Sequence, residues 1–187
     1  KEPLWRLAIN SIPGGRVPAA QWRCPCDLHA THVNARLHTF WGCPVALAVR
    51  AQLDAALGAA PTRASLWLLT PPPQAPVHRD VWTLVGLCAL AAMEYGRAFL
   101  WAHRHSSSWP DPGPQWLAAL SDRLPSHLVD THIWPPIAAA RSAAVSSVCN
   151  AAAARFWHLL QDFTLSNPAH AWILPAHHPF LCSREGR

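Results

Sequence analysis

Prolines constrain most strongly what this chain can fold into, because proline breaks helices and cannot hydrogen-bond within a central strand. There are 19 prolines among the 187 residues, and they divide the chain into helix-sized pieces. Two long pieces, residues 79–104 and 136–164, space their apolar residues as helices do. Another helix is predicted from Pro44, a first helical position, with Cys43 as its N-cap. Few segments alternate as strands do, so the sequence predicts an all-α fold.

Four residues with metal-binding side chains are grouped in the first fifty positions: Cys24, Cys26, His38 and Cys43. Zinc prefers four thiolate or imidazole ligands arranged as a tetrahedron. The close cysteine pair can form one half of such a site, and His38 with Cys43 can form the other. At the start of a helix, the helix dipole and free N–H groups would favour the thiolate of Cys43. The spacing therefore indicates one structural zinc ion, which would contribute directly to folding.

Spacing alone leaves alternatives open for this cluster. The first pair is Cys-x-Cys, one residue tighter than the Cys-x-x-Cys of most zinc knuckles. His29 and His32 lie between the two halves and could replace His38 as a ligand. The cysteines could also be small buried residues packed among tryptophans, of which the chain has 11.

The predicted architecture is a small zinc-binding module, residues 1–60, packed on a helical C-terminal domain, residues 61–187. Within the second unit, we expect a helical turn or strand over 63–69, a short helix over 115–124 and a proline-bounded connection over 125–135. The two long helices should pack together and bury Leu84, Val85, Cys88, Phe99, Val145, Cys149, Phe156 and Leu160.

Positive charge is concentrated in the same region as the cysteine cluster. Residues 1–50 hold six of the 15 basic residues but only two of the ten acids. Such an excess is expected of a surface that contacts phosphate, although dispersed arginines can also simply face solvent.

The cysteines also bear on the cellular compartment. Six cysteines could form three disulfides in a secreted protein. The chain opens on Lys1-Glu2-Pro3-Leu4-Trp5-Arg6, which lacks the apolar run and cleavage site of a signal peptide. We therefore expect reduced cysteines and an intracellular location, the nucleus included. The most apolar run, residues 81–93, is too short to cross a bilayer, so no membrane partner is expected.

Four features follow one another along the first third of the chain: Leu4-Trp5-Arg6-Leu7, Ile12-Pro13, the Cys24/Cys26 pair, and His38 separated by four residues from Cys43-Pro44. In this order they resemble the zinc-binding domain of non-LTR retrotransposon reverse transcriptases, found in the C-terminal region of the polyprotein. The resemblance covers about residues 3–57. It implies a nucleic-acid-binding module downstream of the polymerase domains of the same polyprotein. It also assigns the metal to Cys24, Cys26, His38 and Cys43.

The expected function is zinc-dependent binding of RNA or DNA. Arg6, Arg16, Arg23 and Arg36 are candidate phosphate contacts, which give affinity without sequence specificity. The alternative is a protein–protein interaction or scaffold module in which zinc is purely structural. A basic face continuous with the zinc site would favour nucleic acid, whereas a large exposed apolar patch would favour a protein partner.

No enzymatic activity is expected of this chain. It contains no Tyr/Phe-x-Asp-Asp polymerase motif and no glycine-rich phosphate loop, and its acids are too scattered for a nuclease. Ser126, His127 and Asp130 are close in sequence but lack a nucleophile elbow. A catalytic zinc needs an open coordination position, and four available protein ligands argue against one.

Overall fold

The computed structural model describes residues 24–26, 35–58, 60–73, 77–104, 119 and 122–166. No strand occurs within these ranges, so the all-α prediction is confirmed for this part of the chain. The helices are α1 (Ala35–Leu37), α2 (Pro44–Leu57), α3 (Arg63–Trp67), α4 (Arg79–Arg104), α5 (Ser126–Leu128) and α6 (Trp134–Ser166). Two π-helical turns, His38–Gly42 and Val129–Ile133, join α1 to α2 and α5 to α6.

Helices α4 and α6 form the centre of the fold, and both were predicted. Helix α4 has the predicted range, and α6 is two residues longer at each end. Pro135 and Pro136 lie in the first turn of α6, where the backbone N–H groups have no partner within the helix and proline is tolerated. Helix α2 packs on both long helices, beginning at Pro44 after Cys43 as predicted.

The predicted connection over residues 125–135 is wrong, because most of this segment is helical. Helix α5 begins directly after Pro125, and the π-helical turn leads without interruption into α6. The prediction took Pro125 and Pro135 as the bounds of a non-helical connection. Here the prolines precede or open helices, where their fixed backbone angle suits the first turn.

Two shorter predictions concern the rest of the helical region. The segment 63–69 contains a helical turn, α3, and no strand. The side chain of Thr62 caps it by accepting a hydrogen bond from the backbone N–H of Ser65 at 3.0 Å. The predicted short helix over 115–124 lies mostly outside the described residues.

One hydrophobic core joins the cysteine cluster to the long helices. It includes Cys24, Phe40 and Cys43 together with buried residues of α2, α4 and α6. Gly96 of α4 lies where the three helices meet. The described residues around the cysteine cluster therefore pack on the helical region through continuous apolar contact, and the boundary between residues 60 and 61 stays a prediction.

Six of the eight side chains predicted for the core are buried. Phe99 and Cys149 are only partly buried and pack against the edge of the core. Phe99 lies on a flank of α4, where its ring stacks on Tyr95 and meets the ring of His103 edge-on. Cys88 and Cys149 are both free thiols, as expected.

Helix α4 contains a stretch, Arg79–His103, that is long and apolar enough to cross a membrane by length and composition alone. In this fold 61% of its apolar 18-residue window is buried. The central helix of a soluble protein has the same composition, because it is covered by neighbouring helices on most sides.

Candidate metal centre

The first half of the centre is a tight turn, Cys24-Pro25-Cys26. Proline fixes the backbone between the two cysteines, which lets both side chains point to the same side of the turn. Cys24 is buried, with 2% of its surface exposed, and Cys26 is partly buried against the core. The turn is therefore held by packing on the helices.

The second half depends on the π-helical turn His38–Gly42. In a π-helix, each hydrogen bond joins residues five positions apart. The backbone N–H of Cys43 donates to the carbonyl oxygen of His38 at 2.6 Å, which closes this ring. Since His38 and Cys43 are five positions apart, the π turn brings their side chains to the same place.

The structure brings together all four residues predicted as metal ligands. Each contributes one ligand atom, and these four atoms all lie within 4.8 Å of one another. The sulfur of Cys26 lies 3.2 Å from Nε2 of His38. Zinc–sulfur bonds of about 2.3 Å would place sulfur atoms about 3.8 Å apart. A tetrahedral site therefore needs small shifts in both directions, with the Cys26–His38 pair widening and the most distant ligand atoms closing in. Cys24, Cys26, His38 and Cys43 could hold a metal ion. The alternative ligands His29 and His32 lie outside the described residues.

The thiols of the centre share protons and charge. The pKa of Cys24 is lowered well below its ordinary value, first because Cys26 and then because Cys43 hydrogen-bond to its sulfur. Conversely, the pKa of Cys26 is raised, mainly through the same hydrogen bonds and burial. The protonation of these thiols is therefore coupled. A metal ion would displace the remaining protons, because the thiolate is the ligand.

Sequence reasoning missed a largely buried ion pair next to this centre. Arg97 of α4 is buried, and its Nη2 donates to Oε1 of Glu94 at 3.0 Å. The positive charge of Arg97 also helps to lower the pKa of Cys24. The available signal was a charged pair three residues apart inside an otherwise apolar helix, where burial requires each charge to have a partner.

A fourth cysteine lies close to the centre and was predicted only as a core residue. The pKa of Cys149 on α6 is raised to about 11, first by burial and then by the charge of Cys43. Burial thus favours the neutral thiol of Cys149.

Of the four arginines predicted to contact phosphate, only Arg36 lies within the described residues. It belongs to α1, two residues before His38, and its guanidinium carbon lies 5.6 Å from the ring centre of Trp67. Arg6, Arg16 and Arg23 lie outside the described residues. Arg50 has a structural role, because its guanidinium stacks 3.4 Å from the ring centre of Trp41 and also donates to the Trp41 carbonyl oxygen.

Comparison of the chain with protein-family models, curated proteins and solved structures finds no match.

Proposed function

We propose that the four-residue centre binds zinc and that the module it stabilises binds RNA or DNA. The convergence of three sulfurs and one imidazole nitrogen within 4.8 Å is the observation that carries this proposal. This donor set is that of structural zinc sites. Four protein ligands leave no open position, so the ion would stabilise the π-helical turn and the start of α2 without taking part in a reaction.

The proposed parent protein is a non-LTR retrotransposon reverse transcriptase, with this chain from its C-terminal region. The order of the sequence features supports it, as do the grouping of Cys24, Cys26, His38 and Cys43 and the helix that begins directly after Cys43. In such a polyprotein, the upstream polymerase domains would perform the chemistry and this module would hold nucleic acid.

Binding to phosphate is supported by the position of the positive charge. The first fifty residues carry most of the chain's excess of basic over acidic side chains. Arg36 is only two residues from the ligand His38, so a phosphate contact there would lie beside the metal centre. Arg63 of α3 lies in the same area, since both arginines approach the ring of Trp67.

A protein partner is the second candidate, and one surface favours it. The start of α6 presents a groove of about 420 Å³ lined by Trp134, Pro135, Ile137, Ala138 and Arg141. Four of these five side chains are apolar, as in the centre of many protein interfaces.

Salt-dependent binding tests the proposed function. Zinc-loaded protein should bind a fluorescein-labelled single-stranded oligonucleotide at low salt, and log K should fall linearly with log salt concentration. Cys43→Ser should weaken this binding, because the module would lose its metal and its fold. The absence of binding by the wild-type protein at low salt would contradict the proposal and favour the protein partner.

A further inference from the structure

Next to the metal centre, α1 and α3 enclose a groove of about 610 Å³. Trp67 lines it, and the indole N–H of Trp67 donates to the carbonyl oxygen of Phe40 at 3.5 Å. Phe40 belongs to the π-helical turn that positions His38 and Cys43. The wall of the groove is thus attached to the segment that holds two of the four ligands.

Two arginines line the groove, Arg36 from α1 and Arg63 from α3. The guanidinium carbon of Arg36 lies 5.6 Å from the ring centre of Trp67, and that of Arg63 lies 5.4 Å from it. Cation–π contacts at such distances restrict the side chains without neutralising their charge. Among the described residues, those that line the groove carry no carboxylate. The two guanidinium groups give this part of the groove positive charge, which suits an anion.

The groove also offers an apolar surface beside the two charges. Leu68 lines it with 73% of its surface exposed, and the partly buried ring of Trp67 lies next to it. A ligand that fits must combine negative charge with a flat or apolar group. The volume falls within the range of sites for small molecules, about 300–1,000 Å³, and would admit a single nucleotide but not a double helix.

We propose that this groove binds single-stranded RNA or DNA, with Arg36 and Arg63 contacting phosphate and a base lying against Trp67 and Leu68. Proteins that bind single strands combine a positive groove with aromatic side chains on which bases stack. In a duplex the bases are already stacked and paired, so they could not enter. The inference rests on the nucleic-acid binding proposed above, and it defines which form of nucleic acid is bound and where.

The test uses the zinc-loaded chain with 15-nucleotide oligo(U) and oligo(dT) probes and a duplex of the same length, each labelled with fluorescein. The double variant Arg63→Gln with Arg36→Gln should bind either single strand about tenfold or more weakly, with the salt slope reduced by roughly 1.4 under the single-strand rule. Leu68→Glu provides a second test, because it places a carboxylate in the groove at an exposed position that makes little contribution to the core. Arg123→Gln removes an exposed arginine elsewhere and should leave binding unchanged.

The outcomes separate this inference from the proposed function. A preference for single strands that both groove variants reduce would support the inference. If the wild-type chain binds nucleic acid but the groove variants bind as wild type, or if the duplex binds equally well, the groove assignment is overturned and the proposed function stands. If the wild-type chain binds none of the three probes, both fail. The zinc content and circular dichroism of each variant show that it is folded.

Discussion

Trp157 donates its indole N–H to Oε1 of Gln52 at 3.0 Å, and this bond joins residues 105 positions apart. Gln52 lies on α2, the helix that begins after the ligand Cys43, and Trp157 lies on α6. The bond sits at the edge of the core, where both side chains are partly buried. It fixes the rotation of α2 relative to α6, and thereby the orientation of the second half of the metal centre.

Trp157→Phe should lower the free energy of unfolding by about 1 kcal/mol beyond the change in packing, because a partly buried hydrogen bond is lost. Urea denaturation of the wild type, Trp157→Phe, Gln52→Ala and the double variant measures the coupling directly. A coupling energy near zero would show that the bond makes no contribution to stability.

Gly96 and Gly86 of α4 should respond oppositely to substitution by alanine. At Gly96, a β-carbon would lie 2.5 Å from Cγ1 of Val45 and 2.8 Å from Cβ of Ala152, and neither atom can move without shifting a helix. Gly96→Ala should therefore destabilise the fold by about 1–3 kcal/mol. At Gly86 the close atom is Cδ2 of Leu69, which is the end of a flexible side chain and can move away. The gain in helix propensity from glycine to alanine, up to about 1 kcal/mol, can therefore outweigh the cost of this contact. Equal effects in thermal denaturation would refute this account of the helix crossing.

Much of the helical fold could be predicted from sequence because the relevant signals are local. Apolar spacing and proline positions identified α4, α6 and the start of α2 at Cys43 and Pro44. The same reasoning was wrong over residues 125–135, since a proline at the start of a helix and a proline after one look alike without knowledge of the neighbouring packing.

The candidate centre was predictable as a set of residue types, but its geometry was not. The π-helical turn between His38 and Cys43 has no reliable sequence signature, because it forms only where tertiary packing stabilises the wider ring. The partners of the centre could not be predicted either. Arg97 and Cys149 come from α4 and α6, and only the folded chain brings them near Cys24 and Cys43.

Purified protein should contain one equivalent of zinc per chain, and Cys43→Ser should lose it. Elemental analysis of both proteins measures this, with Cys88→Ser as a control that removes a thiol outside the centre. Zinc affinity should also fall as the pH is lowered, because protons compete with the metal for the thiolates. Zinc retained by Cys43→Ser would disprove the ligand assignment.

Cys88 should make the fold sensitive to alkaline pH. Burial raises its pKa from 9.0 to about 12, so the unfolded chain loses this proton at a lower pH than the folded chain. The stability that results is fully present below pH 9.0 and is lost as the pH rises from there toward the pKa of Cys88 in the folded chain. One such group contributes a slope of up to about 1.4 kcal/mol per pH unit. Above pH 9.0, the urea-denaturation midpoint of Cys88→Ala should decline less steeply with pH than that of the wild type. Identical slopes for the two proteins would show that Cys88 does not cause the alkaline sensitivity.

The positive charge of Arg97 should increase zinc affinity by compensating the net negative charge of the zinc-loaded centre. A zinc ion bound to three thiolates and one neutral histidine carries a net negative charge, and Arg97 is a buried cation close enough to lower the pKa of Cys24. Replacing Arg97 alone would remove the ion pair at 3.0 Å from the partly buried Glu94, so the informative variant is Arg97→Met with Glu94→Gln. Loss of an outer-shell partner typically weakens metal binding about 10–100-fold. Competition with a chelator at fixed pH measures the change, and Glu94→Gln alone is the matched control, expected to bind zinc at least as tightly as the wild type. If the double variant binds zinc as tightly as the wild type, Arg97 acts only in packing.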